Sequence, residues 1–397
     1  MKKLGLLPKL IIAIIIGILV GKVAPEWFIK IFVTFSSIFG NFLEFAIPLI
    51  IIGFVAPGIG ELGKGAGKLL AITTGIAYIS TIASGSLAYL TSTTVLPKIM
   101  NIKNLTLNAS NPEESLLAPF FKVEMPPIMG VMTALLIAFT IGLGIATIKG
   151  DTIKKFMNEF QQIVEKLISN IIIPLLPIHI LGIFANMTYA GEVAAIISVF
   201  AKVFVMILLL HAAIIIIQYT IAGTLGGANP FSLIKNMIPA YFTAIGTQSS
   251  AATIPVTLSQ TKKNGVDDGI AEFVVPLCAT IHLSGSTITL TSCAIAIMML
   301  NGMDFSFGMI FPFIMMLGVT MVAAPGVPGG AVMAALGLLK SMLHFSPTLT
   351  SLMIALYIAQ DSFGTACNIT GDGAIAIIVN KISGKKLEPK KDNKIIT

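Results

Sequence analysis

Seven stretches of the chain, 69–97, 125–148, 167–191, 203–234, 236–261, 273–303 and 305–339, contain no Asp, Glu, Lys or Arg. A helix that crosses a bilayer needs roughly 20 mostly apolar residues, so each stretch is long enough to span a membrane or fold back inside one. The opening MKKLGLLPKLIIAIIIGILVG has a basic start and an apolar run without a small-x-small cleavage site, and reads as a first span. The pattern predicts ordinary spans at 6–23, 30–56, 68–96, 127–148, 160–188, 193–222, 266–297 and 346–380. Segment 149–166 is polar but helix-patterned and extends the fifth span into the cytoplasm. The connection 97–126 is polar, lies outside, and carries Asn104 and Asn108 in glycosylation-type triplets, a pattern that is common by chance.

Two apolar stretches do not read as simple spans. Residues 228–262 contain TAIGTQSSAATIPVTLSQ, small and hydroxyl-rich at its centre. Residues 307–343 contain VAAPGVPGGAVMAAL, interrupted by Pro325, Gly326, Pro328, Gly329 and Gly330. Backbone freed by such clusters is tolerated at membrane depth only where protein or a water-filled cavity satisfies it. Both stretches are therefore expected to be re-entrant hairpins, the first dipping from the cytoplasm and the second from outside. Each is followed by a span with an expected break, HLSGS (282–286) after the first and NITGD (368–372) after the second. The two pentapeptides share the order polar, aliphatic, hydroxyl, glycine, polar. Interrupted helices in corresponding halves point to an inverted repeat around a midplane binding site.

Composition narrows the class. Of 397 residues, 55% are hydrophobic and 11% charged, which fits an all-α polytopic membrane protein and excludes a soluble enzyme. The net charge of +7 is no nucleic-acid signature, because the basic residues are all lysines gathered between apolar segments, as at Lys149, Lys154 and Lys155 or Lys262 and Lys263. That is the positive-inside pattern, and it places both termini in the cytoplasm; the expected location is the plasma (cell inner) membrane. Cys278, Cys293 and Cys367 lie in apolar segments without metal-site spacing and read as buried thiols. Glu44, beside Pro48, reads as a helix-end or scaffold residue, and Lys202 as a side chain near a helix end.

The chemistry concentrates in DSFGTACNITGD, 361–372, where Asp361 and Asp372 lie in an apolar context and the chain has no arginine to meet them. Intramembrane acids face a cavity or a partner. Eleven positions apart, they fall near one helix face at ~100° per residue, about 16 Å apart along a regular helix, far enough to serve different ligands.

SSAATIPVT (249–257), FVVPLCATIHLSGS (273–286), GVPGG (326–330) and DSFGTACNITGD occur in order along the chain. Together they resemble the dicarboxylate/amino acid:cation symporter family, which includes the glutamate transporters and neutral amino acid exchangers. The resemblance implies the glutamate-transporter-homologue fold, with eight transmembrane helices and two hairpins, in a homotrimer. It implies a static scaffold from 1–67 and 127–192. A mobile transport domain would comprise the third helix within 68–126, the sixth within 193–227 and the core 228–397. The mobile part would carry substrate by an elevator motion. It makes Asp361 the partner of a substrate α-amino group, with Ser286, Gly364, Thr365 and Asn368 beside the substrate. Ser249 and Ser250 would offer backbone N–H groups to the α-carboxylate, and Val327 would close over the site. Asp372 would bind sodium with carbonyls of Cys278, His282 and Asn368, and a second sodium would rest on carbonyls near Thr280 and in 321–324. No cofactor and no enzymatic activity are implied.

Two positions depart from the family. Acidic-substrate members carry an arginine three residues after the amino-binding aspartate or in the first hairpin; here those positions are Gly364 and Gln248. Glycine cannot imitate a bidentate arginine fork, so a neutral or small polar amino acid is the expected substrate, with Phe363 a candidate to fill the vacated room. The family's Asn-Met-Asp-Gly-Thr is His282-Leu-Ser-Gly-Ser286, so Ser284 replaces a carboxylate of a third cation site that would also use Ser80 and Thr81. Either two sodium ions couple, or a proton on His282 replaces that charge; a neutral core histidine is the plainer reading. A proton-coupled carrier of dicarboxylates or other organic acids is the alternative function, and a membrane hydrolase using Ser249, His282 and Asp361 is a remote one.

Overall fold

The computed structural model describes residues 6–62, 67–99, 116–191, 193–321, 329–385 and 387. Among them there is no strand. The helices are α1 (Leu6–Val23), α2 (Glu26–Leu62), α3 (Gly67–Ile99), α4 (Val131–Thr147), α5 (Thr152–Tyr189), α6 (Val193–Gly226), α7 (Pro230–Thr247), α8 (Ser250–Lys263), α9 (Asp268–Ile281), α10 (Ser284–Leu300), α11 (Phe307–Met321), α12 (Gly330–Leu343) and α13 (Pro347–Ile382). Six helical stretches are long and apolar enough to cross a membrane: Glu26–Pro57, Lys68–Ile99, Thr152–Tyr189, Ile197–Gly226, Asp268–Leu300 and Pro347–Ile382. The expected glycosylation-type Asn104 and Asn108, Val327 and the carbonyls of 322–324 lie outside the described residues.

The polar segment after residue 149 does extend the fifth span, as one helix from Thr152. It passes through a wider π-helical turn at Ile168–Ile172, just before Pro174, whose missing N–H removes an ordinary helical hydrogen bond. The first apolar hairpin is α7 and α8, packed on each other and joined at Gln248, whose φ of 53° turns the chain. Ser249 caps α8 by accepting from the Ala252 N–H at 3.3 Å. The arms of the second hairpin, α11 and α12, also pack together.

The helices form two mutually packed sets. In one, α1 lies on α5, and α2 on α4 and α5. A Cβ on Gly17 or Gly21 would collide with backbone carbonyls of Leu181 and Ala185, so this small-xxx-small pair is what lets α1 and α5 approach. In the other set, α3, α6, α7, α8, α9, α10 and α12 pack around α13. Helices α10 and α13 are buried on nearly every side, whereas α6 exposes Val205, Leu209, Ile217 and Ile221. That contrast is expected of central and lipid-facing helices.

The sets meet at few polar points. Lys340 of α12 pairs with Glu44 of α2 at 2.6 Å, so Glu44 is an inter-helix ion-pair residue. His179 of α5 bonds Ser351 of α13 at 2.8 Å through Nε2. Within the second set, Lys202 of α6 donates to the Ile99 carbonyl at 2.7 Å, at the C-terminal end of α3 where a cation is favourable.

One expectation fails. Helix α13 is continuous from Pro347 to Ile382 and is not broken at NITGD. Its glycines serve close packing instead: a Cβ on Gly371 would lie 2.7 Å from both Gln218 Oε1 and His282 Cε1. The earlier break is real. His282 (φ −110°, ψ 98°) and Leu283 (φ −119°, ψ 53°) leave helical geometry between α9 and α10.

Candidate functional site

In the unbroken α13, Asp361, Thr365, Asn368 and Asp372 are spaced i, i+4, i+7 and i+11, which at ~100° per residue puts them in one stripe. All four are buried. The stripe faces the break between α9 and α10, and the two matching pentapeptides lie against each other in antiparallel order. His282 Nδ1 meets Asp372 Oδ1 at 2.9 Å. At the other end, Asn368 Oδ1 accepts from the N–H groups of Gly285 at 2.7 Å and Ser286 at 3.3 Å. Leu283, at the N-cap position of α10, makes no side-chain cap bond, so Asn368 supplies the cap from a different helix. Its amide nitrogen donates to Ser286 Oγ at 3.0 Å, and Tyr357 OH donates to the same oxygen at 2.8 Å. Most of the Asn368 amide thus holds the break together, and its second N–H makes no bond among the described residues.

Asp361 accepts from the Gly329 N–H at 2.7 Å, just before α12, and also interacts with Tyr357 OH. This acid is therefore tied to the backbone of the second hairpin. Neither Asp361 nor Asp372 is bridged to a lysine among the described ion pairs.

Gly364 accepts a Cβ, which would make ordinary contacts of 3.6–3.7 Å with Ser286 N, Gly285 C and Thr289 Oγ1. Phe363 does not fill that space, since its ring packs edge-on against Phe204 of α6 at 5.7 Å. Ser249 and Ser250 lie at the N-terminus of α8, where the helix dipole favours an anion; the Ser249 N–H is 3.4 Å from Thr247 Oγ1.

Asp372 is fully buried, and its Oδ2 has no hydrogen-bond partner among the described residues. A bare buried carboxylate oxygen suits a hard cation, which takes charged oxygen ligands. Cys278 lies within electrostatic reach of the same carboxylate, and its carbonyl accepts from His282 N at 2.8 Å, with a second lone pair remaining. Thr280 is exposed, its hydroxyl on the Leu277 carbonyl at 2.8 Å. Ser80 reaches the site through a 3.0 Å bond to His282 Nε2, whereas the Thr81 hydroxyl bonds its own helix at Ala77.

The sequence reading gave His282 no carboxylate partner; the fold supplies Asp372. It also passed over Gln218, whose signal was an amide in the apolar run AAIIIIQYTIAG. Both ring nitrogens of His282 are engaged, by Asp372 and Ser80, so neither is available to activate Ser249, and the hydrolase arrangement is not formed.

The chain resembles known carriers along most of its length. It is 29% identical over 309 residues to excitatory amino acid transporter 1 of Ambystoma tigrinum, covering 75% of this chain and 55% of that protein. It is 28% identical over 302 residues to excitatory amino acid transporter 2 of Rattus norvegicus, covering 73% and 51%. The chain thus spans about half the length of these relatives. With a serine/threonine transporter of Acinetobacter baumannii it shares 27% identity over 387 residues, 93% of this chain and 95% of that one. The model of the sodium:dicarboxylate symporter family matches residues 6–382, nearly the whole chain, and the chain belongs to that family.

Proposed function

We propose that the chain is a membrane symporter, not an enzyme, that couples sodium to uptake of a neutral or small polar amino acid. The observation that carries this reading is Asp361, a buried carboxylate whose present partner is a backbone N–H, beside a position 364 that holds glycine. An α-ammonium can take the place of the Gly329 N–H at Asp361. The substrate carboxylate would meet the N–H groups at Ser249 and Ser250, with Ser286, Thr365, the remaining Asn368 N–H and Val327 around the rest. Asp372 would hold sodium with carbonyls of Cys278, His282 and Asn368; Thr280 would mark a second sodium. The relative named as a serine/threonine transporter fits this substrate class better than the excitatory transporters do. A proton-coupled carrier of dicarboxylates leaves Asp361 without an amino group to meet and offers no cationic side chain at 248 or 364.

A panel of twenty amino acids competing for uptake into proteoliposomes, with and without sodium, tests the substrate class. Neutral and small polar residues should compete; transport of aspartate or glutamate at micromolar affinity would contradict the reading. Gly364→Arg should reverse the preference, since the position accepts a Cβ and an unpaired buried guanidinium is costly unless an acidic substrate meets it.

Elevator movement of the α3, α6–α13 set against α1, α2, α4 and α5, within a homotrimer in the plasma membrane, would require the Glu44–Lys340 pair to break and re-form. Glu44→Lys alone should slow uptake several-fold, and Glu44→Lys with Lys340→Glu should restore much of it. Equal uptake in the single variant and the wild type would show that this contact is not part of the moving interface.

A further inference from the structure

Gln218 lies within α6 in an otherwise apolar run and is only 7% exposed. An amide there is costly unless it is bonded. Its Nε2 donates to Ser80 Oγ at 2.9 Å and lies 3.4 Å from His282 Nε2. With an ionised Asp372 accepting from His282 Nδ1–H, Nε2 is left as an acceptor, which the Gln218 amide nitrogen suits and its oxygen would oppose; Gln218 Oε1 has no partner among the described residues. Ser80 accepts from Gln218 and donates to His282 Nε2, 3.0 Å away. His282 then carries its proton on Nδ1 and donates to Asp372 Oδ1 at 2.9 Å. The result is a file of three hydrogen bonds in one direction, from α6 through α3 and the α9–α10 break to α13. It ends on one oxygen of a fully buried carboxylate whose other oxygen, Oδ2, has no partner among the described residues.

We propose that Gln218 is a positioning residue for the cation site at Asp372. Acting through Ser80 and His282, it immobilises Oδ1 and turns Oδ2, free of competing donors, to the ion. Outer partners that orient a metal ligand commonly contribute about 10–100-fold in metal affinity. The file also gives His282 a use without an ion of its own, in a chain where Ser284 stands in the family's carboxylate position. The inference rests on the proposed sodium role of Asp372.

The test is a sodium titration of thermal stability of the full chain in detergent, without substrate, with choline chloride as the control salt. Gln218→Leu and Gln218→Met should each raise the sodium concentration at half-effect about tenfold, while amino acid affinity at saturating sodium stays near that of the wild type. A packing role alone would lower the melting temperature in every salt and leave the sodium midpoint in place, which would overturn the proposal. Should Gln218→Leu fail to fold, Gln218→Met, close to glutamine in shape but without its amide, decides in the same way. A wild type without a sodium-specific shift would remove the sodium role of Asp372 and this inference with it. A wild-type shift with unmoved variants would remove the inference alone.

Discussion

Asp361→Asn is expected to weaken amino acid binding on the order of a hundredfold while sodium binding remains measurable. The wild-type carboxylate is buried, accepts the Gly329 N–H at 2.7 Å and interacts with Tyr357 OH. Asparagine keeps one oxygen for that N–H but places an amide donor where a substrate ammonium needs an acceptor. Loss of a hydrogen bond to a charged group, with a donor left opposed, costs about 3 kcal/mol, or roughly two powers of ten in affinity. The fold should survive, because a neutral amide is easier to bury than a carboxylate. Radioligand binding in saturating sodium checks this. Wild-type affinity in Asp361→Asn would place the amino group elsewhere.

Asp372→Asn should act in the opposite order, on sodium first and on the amino acid through it. The asparagine oxygen can still accept the His282 N–H, so the contact between the α9–α10 break and α13 persists. The charge on the unpartnered second oxygen is lost. Sodium binding should fall by at least about tenfold, because hard cations depend on charged oxygen ligands. By linkage, amino acid affinity at fixed sodium should fall as well and recover as sodium is raised. An unchanged sodium dependence would show that the cation binds away from Asp372.

Six of the eight expected spans coincide with helices long and apolar enough to cross a membrane among the described residues; they were legible because a bilayer tolerates few charges, so composition alone marks the long helices. The first hairpin was legible in TQSSAAT, whose serine caps a second helix. The break at 282–283 was expected too, but not the continuity of α13. Sequence does not distinguish a glycine that ends a helix from one that lets a neighbour approach, and Gly371 is of the second kind, pressed by Gln218 and His282. The partners inside the site were the least legible. His282 and Asp372 are 90 positions apart, and Gln218 and Ser80 are 138 apart. Such pairs depend on how four helices cross, which local patterning does not encode. The antiparallel contact of HLSGS with NITGD adds geometry to what was a five-residue likeness.

The central claim is that a sodium gradient drives this chain to accumulate a neutral amino acid. The most direct measurement is uptake of radiolabelled serine by proteoliposomes with sodium outside, compared with equal potassium or choline, with labelled aspartate in parallel. Sodium-dependent accumulation of serine above the external concentration, with little aspartate uptake, is the predicted result. Accumulation of aspartate in preference to serine, or uptake indifferent to sodium, would contradict it.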